Sequence, residues 1–221
     1  MRDDGTLEEL DEVHMKDGDG PRHCVFSKNG ERLYVLNELD NSISVYSVDY
    51  PPPLLKILPT SSPRYPTLSL LQSNISLLPP QPFPHQSDFS SWHAAELILS
   101  PSNQTLYASN RAEGHNPLHP PPSSCSDLLA IFPLDSSTGK LIENERELVE
   151  IGGRCPRHFD LIGEKEEEGK WMVVCCHDSD EVIVFERKGV DGRELEEVAR
   201  LMSCGKPAVV VCLPLKKEEE E

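Results

Sequence analysis

Pro21-Arg22-His23-Cys24-Val25-Phe26, then Leu33-Tyr34-Val35-Leu36-Asn37-Glu38, then Ser42-Ile43-Ser44-Val45-Tyr46, form the stretch whose reading decides the fold. A Ser27-Lys28-Asn29-Gly30 turn separates the first two runs, and a polar turn separates the last two. Each run is short, rich in β-branched and aromatic residues, and bounded by Gly, Pro, Asn or Asp. Those are strand signals. The layout returns as Ala95–Leu99, Leu106–Arg111 and Asp127–Phe132, and again as Pro156–Leu161, Trp171–His177 and Glu181–Phe185. In the second and third passes a turn (Asp135–Gly139, Val190–Gly192) leads to one more short strand, expected over Lys140–Glu147 and Glu194–Leu201.

Each pass therefore reads as about four antiparallel strands. Repeats of ~40–50 residues built this way are the sequence signature of propeller blades. The fold class expected is all-β, with a sandwich of irregular strands as the alternative. Aligned on the first strand of each pass, His23, Glu96 and His158 are equivalent. Aligned on the second, Glu38, Arg111 and His177 are equivalent. The first strand of every blade lines a propeller's central channel, so polar residues recurring at its start are expected to converge near the axis.

Composition narrows the function. Among 221 residues, 38 acidic side chains against 21 basic ones leave a formal charge of −17. Such a chain repels phosphate backbones, so nucleic acid is not an expected partner. No run approaches the ~18–20 apolar residues of a membrane helix, and no membrane partner is expected. The polar, acidic start Met1-Arg2-Asp3-Asp4-Gly5 does not read as a signal peptide. Seven scattered cysteines without a CxxC pair suit reduced thiols and a cytoplasmic setting.

Four blocks in order resemble the seven-bladed β-propeller lactonase family, which includes a bacterial type of 6-phosphogluconolactonase and the fungal carboxy-cis,cis-muconate cyclase. They are Gly18–His23 with Leu36–Asp40, Ala94–Glu96 with Leu106–Arg111, Cys155–Phe159, and Gly205–Val211. The resemblance implies a lactone-handling enzyme acting on a small anionic lactone, without a metal or other cofactor. It carries catalytic roles to Glu96, His23 and Arg111, and substrate-binding roles to Arg22, Glu38, Arg157 and His158. The chemistry suits them: a carboxylate or imidazole can take a proton from water, and guanidinium groups can hold an oxyanion or an anionic substituent. Hydrolysis of a sugar lactone such as 6-phosphogluconolactone is the leading expectation. Lactonisation of a carboxymuconate is the second, and a non-catalytic propeller fragment offering an interaction surface is the third. Where the family reads Asn-Gln after the second strand of its third block, this chain has Cys176-His177.

The resemblance runs over 18–213, enough for a partial ring of roughly three to four blades where the family has seven. The N-terminal blades are therefore expected to be missing, and a half ring with uncovered sheet edges is expected to be incomplete or to fold poorly alone. Residues 1–17 read as an acidic segment and 214–221 as a charged tail. Half of the 20 prolines crowd 50–91, which reads as a Pro/Ser-rich insert rather than strand. A second proline loop spans Pro117–Pro122, Glu164–Glu168 is a solvated charge run, and His115, His119 and Cys125 have no standard zinc spacing. Within a strand, Cys175 and Cys176 face opposite sides, so one core thiol beside an outer one is expected. Glu96, among apolar neighbours, demands a partner or a function. Arg111 is its first candidate partner, and Arg22 is Glu38's.

Overall fold

The computed structural model describes residue 9 and residues 11–50, 66–80, 92–112, 127–163 and 169–211. Twelve strands fall among them, in three four-stranded antiparallel meanders. The first blade is β1 (Pro21–Phe26), β2 (Arg32–Asn37), β3 (Ser42–Asp49) and β4 (Thr67–Ser76). The second is β5 (Trp92–Leu99), β6 (Thr105–Ala112), β7 (Leu128–Pro133) and β8 (Glu147–Glu150). The third is β9 (Pro156–Ile162), β10 (Trp171–Cys176), β11 (Glu181–Lys188) and β12 (Glu194–Met202). No helix among the described residues is long and apolar enough to cross a membrane.

The two-residue side-chain period of a strand distributes the apolar residues between blade faces. In the middle blade, Leu106, Ala108, Ala130 and Phe132 pack against Tyr34, Leu36, Ile43 and Val45 of the first. The alternate positions Tyr107, Leu129 and Ile131 pack against Phe159, Met172, Val174 and Phe185 of the third. Every residue of β7 is buried, because that strand is covered on both sides. The remaining face of the first blade, Leu33, Tyr46 and Val48, is covered by Val13 and Met15. Asp11 secures that cover by accepting the Leu68 amide through Oδ2 (2.7 Å). The acidic N-terminal segment thus contributes packing that its composition did not reveal. The edge strand β12 stands largely in solvent, and its glutamates and Arg200 supply the charges that discourage edge-to-edge pairing.

Two strand assignments change. The segment 50–91 is not all insert: Thr67–Ser76 pairs antiparallel with β3 and completes the first blade. Its ten residues lie between Pro66 and Pro79 and contain no proline, so every amide remains available to the ladder. The neighbouring 51–65 and 81–91 lie outside the described residues. In the second blade the fourth strand is Glu147–Glu150, not Lys140–Glu147. The chain first closes a Leu134–Leu141 bridge and makes a 3-10 turn at Glu143–Glu145 before it can pair with β7.

Candidate active site

The inner strands β1, β5 and β9 each carry a register irregularity at the same place. Pro21 pairs with Asn37 and His23 with Leu36, so Arg22 is the extra residue of a bulge. Pro156 pairs with Cys176 and His158 with Cys175, so Arg157 is its counterpart. In β5, Ala94 pairs with Asn110 and Leu97 with Ala108, leaving Ala95-Glu96 opposite Ser109 alone. A bulge bends its strand and re-aims a side chain. Three bulges in register therefore bring the start of each blade's inner strand to one place, and the repeat equivalences read from the sequence hold.

Glu96 stands at the centre, with its side chain only 8% exposed. Its Oε1 lies 3.7 Å from His23 Nδ1 and its Oε2 lies 3.5 Å from His158 Nε2. These are charge contacts rather than hydrogen bonds. Oε1 also accepts the Leu97 amide at 2.9 Å. The Ser109 hydroxyl accepts the Glu96 amide (3.2 Å) and donates to the Pro156 carbonyl (2.9 Å), tying β5, β6 and β9 together behind the carboxylate. The imidazoles are more open, His23 at 40% and His158 at 26% side-chain exposure. His158 Nδ1 faces the Val210 amide at 3.5 Å.

Glu38 forms a second centre. Arg22 Nη1 donates to both of its oxygens (3.3 and 3.2 Å), and the almost fully buried Arg111 donates to Oε1 through Nη2. Arg22 Nε is anchored on the Ala95 carbonyl at 2.8 Å. The expected pairing of Glu96 with Arg111 is therefore not made. Arg111 turns to Glu38, and Glu96 takes two imidazoles instead; in register Arg111 stands opposite His93, three residues from Glu96 along β5. Arg157 projects from its bulge into solvent.

Cys155, His177 and Asp178 meet at the corner of the third blade, where ring Nδ1 and carboxylate Oδ1 are 2.8 Å apart. Burial pushes the Cys155 thiol up to about 11. This grouping was missed because 22 residues separate Cys155 from His177. Its only sequence trace is that Cys155 and His177 fall on the repeat positions of Gly20 and Glu38. Cys175 and Cys176 do face opposite ways, yet both are buried; only Cys176 joins the apolar core between the second and third blades. A hollow of about 490 Å³ between the β1–β2, β5–β6 and β7–β8 turns lies at the other ends of the strands and holds no predicted site residue. His115, His119 and Cys125, the second proline loop, Glu164–Glu168 and the charged tail all lie outside the described residues.

Known proteins resemble this chain. The chain is 27% identical over 191 residues to a 6-phosphogluconolactonase of Formosa agariphila, matching 85% of this chain and 42% of that one. It is 31% identical over 205 residues to a probable 6-phosphogluconolactonase of Arthroderma benhamiae, matching 90% of this chain and again 42% of the relative. It thus spans less than half the length of these two relatives. In fold it resembles the periplasmic gluconolactonase of Pseudomonas aeruginosa, with a TM-score of 0.62 and 24% identity over 88% of this chain and 43% of that structure. Residues 1–212 match the family model described as "Lactonase, 7-bladed beta-propeller". With three four-stranded blades meeting at in-register bulges, this chain belongs to the seven-bladed β-propeller lactonase family.

Proposed function

We propose that this chain hydrolyses a small anionic lactone, a sugar lactone such as 6-phosphogluconolactone being the leading substrate. The observation that carries the reading is the buried Glu96 carboxylate held between the more open imidazoles of His23 and His158. Glu96 Oε1 faces His23 Nδ1, which leaves Nε2 to take a proton from an attacking water. The carboxylate stabilises the imidazolium that results, because charge separation in a water-poor site is otherwise costly. His23 is then the proton acceptor and Glu96 its charge partner.

Opening the ester develops negative charge on the carbonyl oxygen, and Arg22, Arg111 and Arg157 supply the positive groups around it. Arg22 and Arg111 are pre-oriented by Glu38, so little side-chain freedom is lost when they meet an anion. Arg157, exposed on the β9 bulge, is suited to grip a phosphate or carboxylate on the substrate. A cytoplasmic location fits the reduced thiols of this reading. The names of the relatives support lactone chemistry, and they belong to proteins about twice this length.

The test is proton release or absorbance during incubation of the chain with 6-phosphogluconolactone and, separately, with 3-carboxymuconate. Loss of the lactone above its spontaneous rate, suppressed in Glu96→Gln and in His23→Ala, is the expected result. Consumption of the muconate alone would move the reading to lactonisation. Lactone loss at the spontaneous rate in the parent chain would overturn the hydrolytic reading for this chain.

A further inference from the structure

The corner of the third blade repeats the backbone of the first with different chemistry. In the first blade the Gly20 carbonyl accepts the Glu38 amide (2.7 Å) and the Asp19 carbonyl accepts the Leu39 amide (3.1 Å). In the third, the Cys155 carbonyl accepts the His177 amide (2.9 Å) and the Arg154 carbonyl accepts the Asp178 amide (3.2 Å). Cys155, His177 and Asp178 therefore stand where Gly20, Glu38 and Leu39 stand. Gly20 has φ +64°, and Cys155 keeps nearly the same left-handed backbone at +57°. Glycine takes that conformation freely and cysteine does not. The third blade thus carries a thiol at the position that the first blade gives to glycine.

The three side chains converge. Cys155 Sγ, a ring nitrogen of His177 and a carboxylate oxygen of Asp178 all lie within 4.8 Å of one another. Four ligands at ~2.0–2.3 Å around one ion are roughly 3.3–3.8 Å apart, so closing the set draws the sulfur inward and parts His177 Nδ1 from Asp178 Oδ1, which are 2.8 Å apart. The thiol is buried at 7% exposure, while His177 and Asp178 are about one-third exposed, which leaves a path for an ion and a water. Behind the thiol, the buried Asp127 accepts the Cys155 amide through Oδ2 at 2.5 Å, adding a further negative group to the corner.

We propose that Cys155, His177 and Asp178 form a three-ligand site for a zinc-type dication, with the fourth position open to water. Sulfur and imidazole ligands select a borderline-soft ion over calcium or magnesium, which take oxygen ligands. Three protein ligands plus one open position is the form taken by zinc sites that keep an exchangeable water. On loading, the Cys155 Sγ–H bond gives its proton to solvent and an Sγ–metal bond forms. The three ligands do not include Glu96, His23 or His158, and the proposal does not depend on the hydrolytic reading.

Cobalt(II) tests it on the full chain after chelator treatment. One equivalent is expected to produce the near-ultraviolet thiolate-to-cobalt band and the visible bands of a four-coordinate ion, both bleached by zinc(II). Cys155→Ser should remove the near-ultraviolet band. His177→Ala and Asp178→Asn should weaken cobalt binding by at least ~10–100-fold, with the far-ultraviolet circular dichroism unchanged. Absence of the band at stoichiometric cobalt overturns the proposal. So does an undiminished band in Cys155→Ser, since the chain has seven cysteines and another thiol would then be the ligand. Should Cys155→Ser fail to fold, unchanged affinity in a folded His177→Ala would overturn the site independently.

Discussion

The two blade junctions are built alike at one end and differently at the other. At the turn end, the Tyr34 hydroxyl of β2 donates to the Gly139 carbonyl of the next blade (2.8 Å). One repeat later, the Tyr107 hydroxyl of β6 donates to Gly192 of the blade after it (2.6 Å). Both phenols are pushed up by burial, Tyr34 to about 12. At the bulge end the resemblance stops. The first junction is closed by the Glu38 carboxylate between two guanidiniums, whereas the Glu96 carboxylate, between the imidazoles of His23 in the first blade and His158 in the third, spans both. Permanent cations hold a carboxylate in place at any working pH. An imidazole can also accept a proton, which a guanidinium cannot. The repeat thus fixes where charges gather, while the residue types decide whether a carboxylate is held by guanidiniums or by imidazoles.

The strongest way to break this contrast is to neutralise each carboxylate in turn. Glu96→Gln should lower lactone turnover by about 10²–10⁴-fold, with a melting temperature close to the parent's. Glu38→Gln should lower stability as well as turnover, since it also frees the Arg22 and Arg111 side chains that Glu38 orients. It removes one carboxylate partner of the nearly buried Arg111 and should cost about 3 kcal/mol in denaturant unfolding, at the low end of the range for buried pairs because Glu38 is partly open. Equal loss of turnover without loss of stability in both variants would erase the distinction.

The apolar parts of the junctions should behave alike. Phe132→Ala in the first and Phe159→Ala in the second, each fully buried, should each destabilise by about 3–5 kcal/mol. A large difference between them in urea titration would mean that one junction is looser than its packing shows. The tyrosine contacts give a finer comparison. Tyr34→Phe should cost about 1 kcal/mol. Tyr107→Phe should cost somewhat more, because its hydroxyl also accepts from Arg187 Nε (2.8 Å), whose guanidinium lies 5.1 Å from the ring centre.

The smallest expected effect concerns acid. Asp135 is held down to about 2 by hydrogen bonds from the Ser137 hydroxyl and from the amide and hydroxyl of Thr138. A depressed carboxylate contributes stability above its ordinary value near 4, and that contribution fades as pH falls from there through 2. Asp135→Asn should flatten this part of the stability curve and leave the curve above pH 5 parallel to the parent's. An unchanged acid limb would mean that the turn contributes nothing.

Blade layout was legible in the residues because strand alternation and turn chemistry are local. The run Pro21–Phe26 coincides with β1, and β12 extends the run Glu194–Leu201 by one residue. β4 was missed because prolines on both sides masked a clean ten-residue run. β8 was misplaced because a bridge and a 3-10 turn intervene, and nothing in Lys140–Glu147 announces them. The convergence of His23, Glu96 and His158 followed from repeat register, which is a sequence property. Their pairing did not follow. Whether Glu96 meets Arg111 or the two histidines depends on how three bulges bend three strands from different blades. The Cys155–His177–Asp178 corner was likewise hidden, since only the pairing of β9 with β10 brings its members together. What the residues alone determined is the all-β, repeated architecture and the set of charged groups at its axis. Which group touches which was decided by tertiary structure, because side-chain direction at a bulge and the spacing between blades are set by packing across distant parts of the chain.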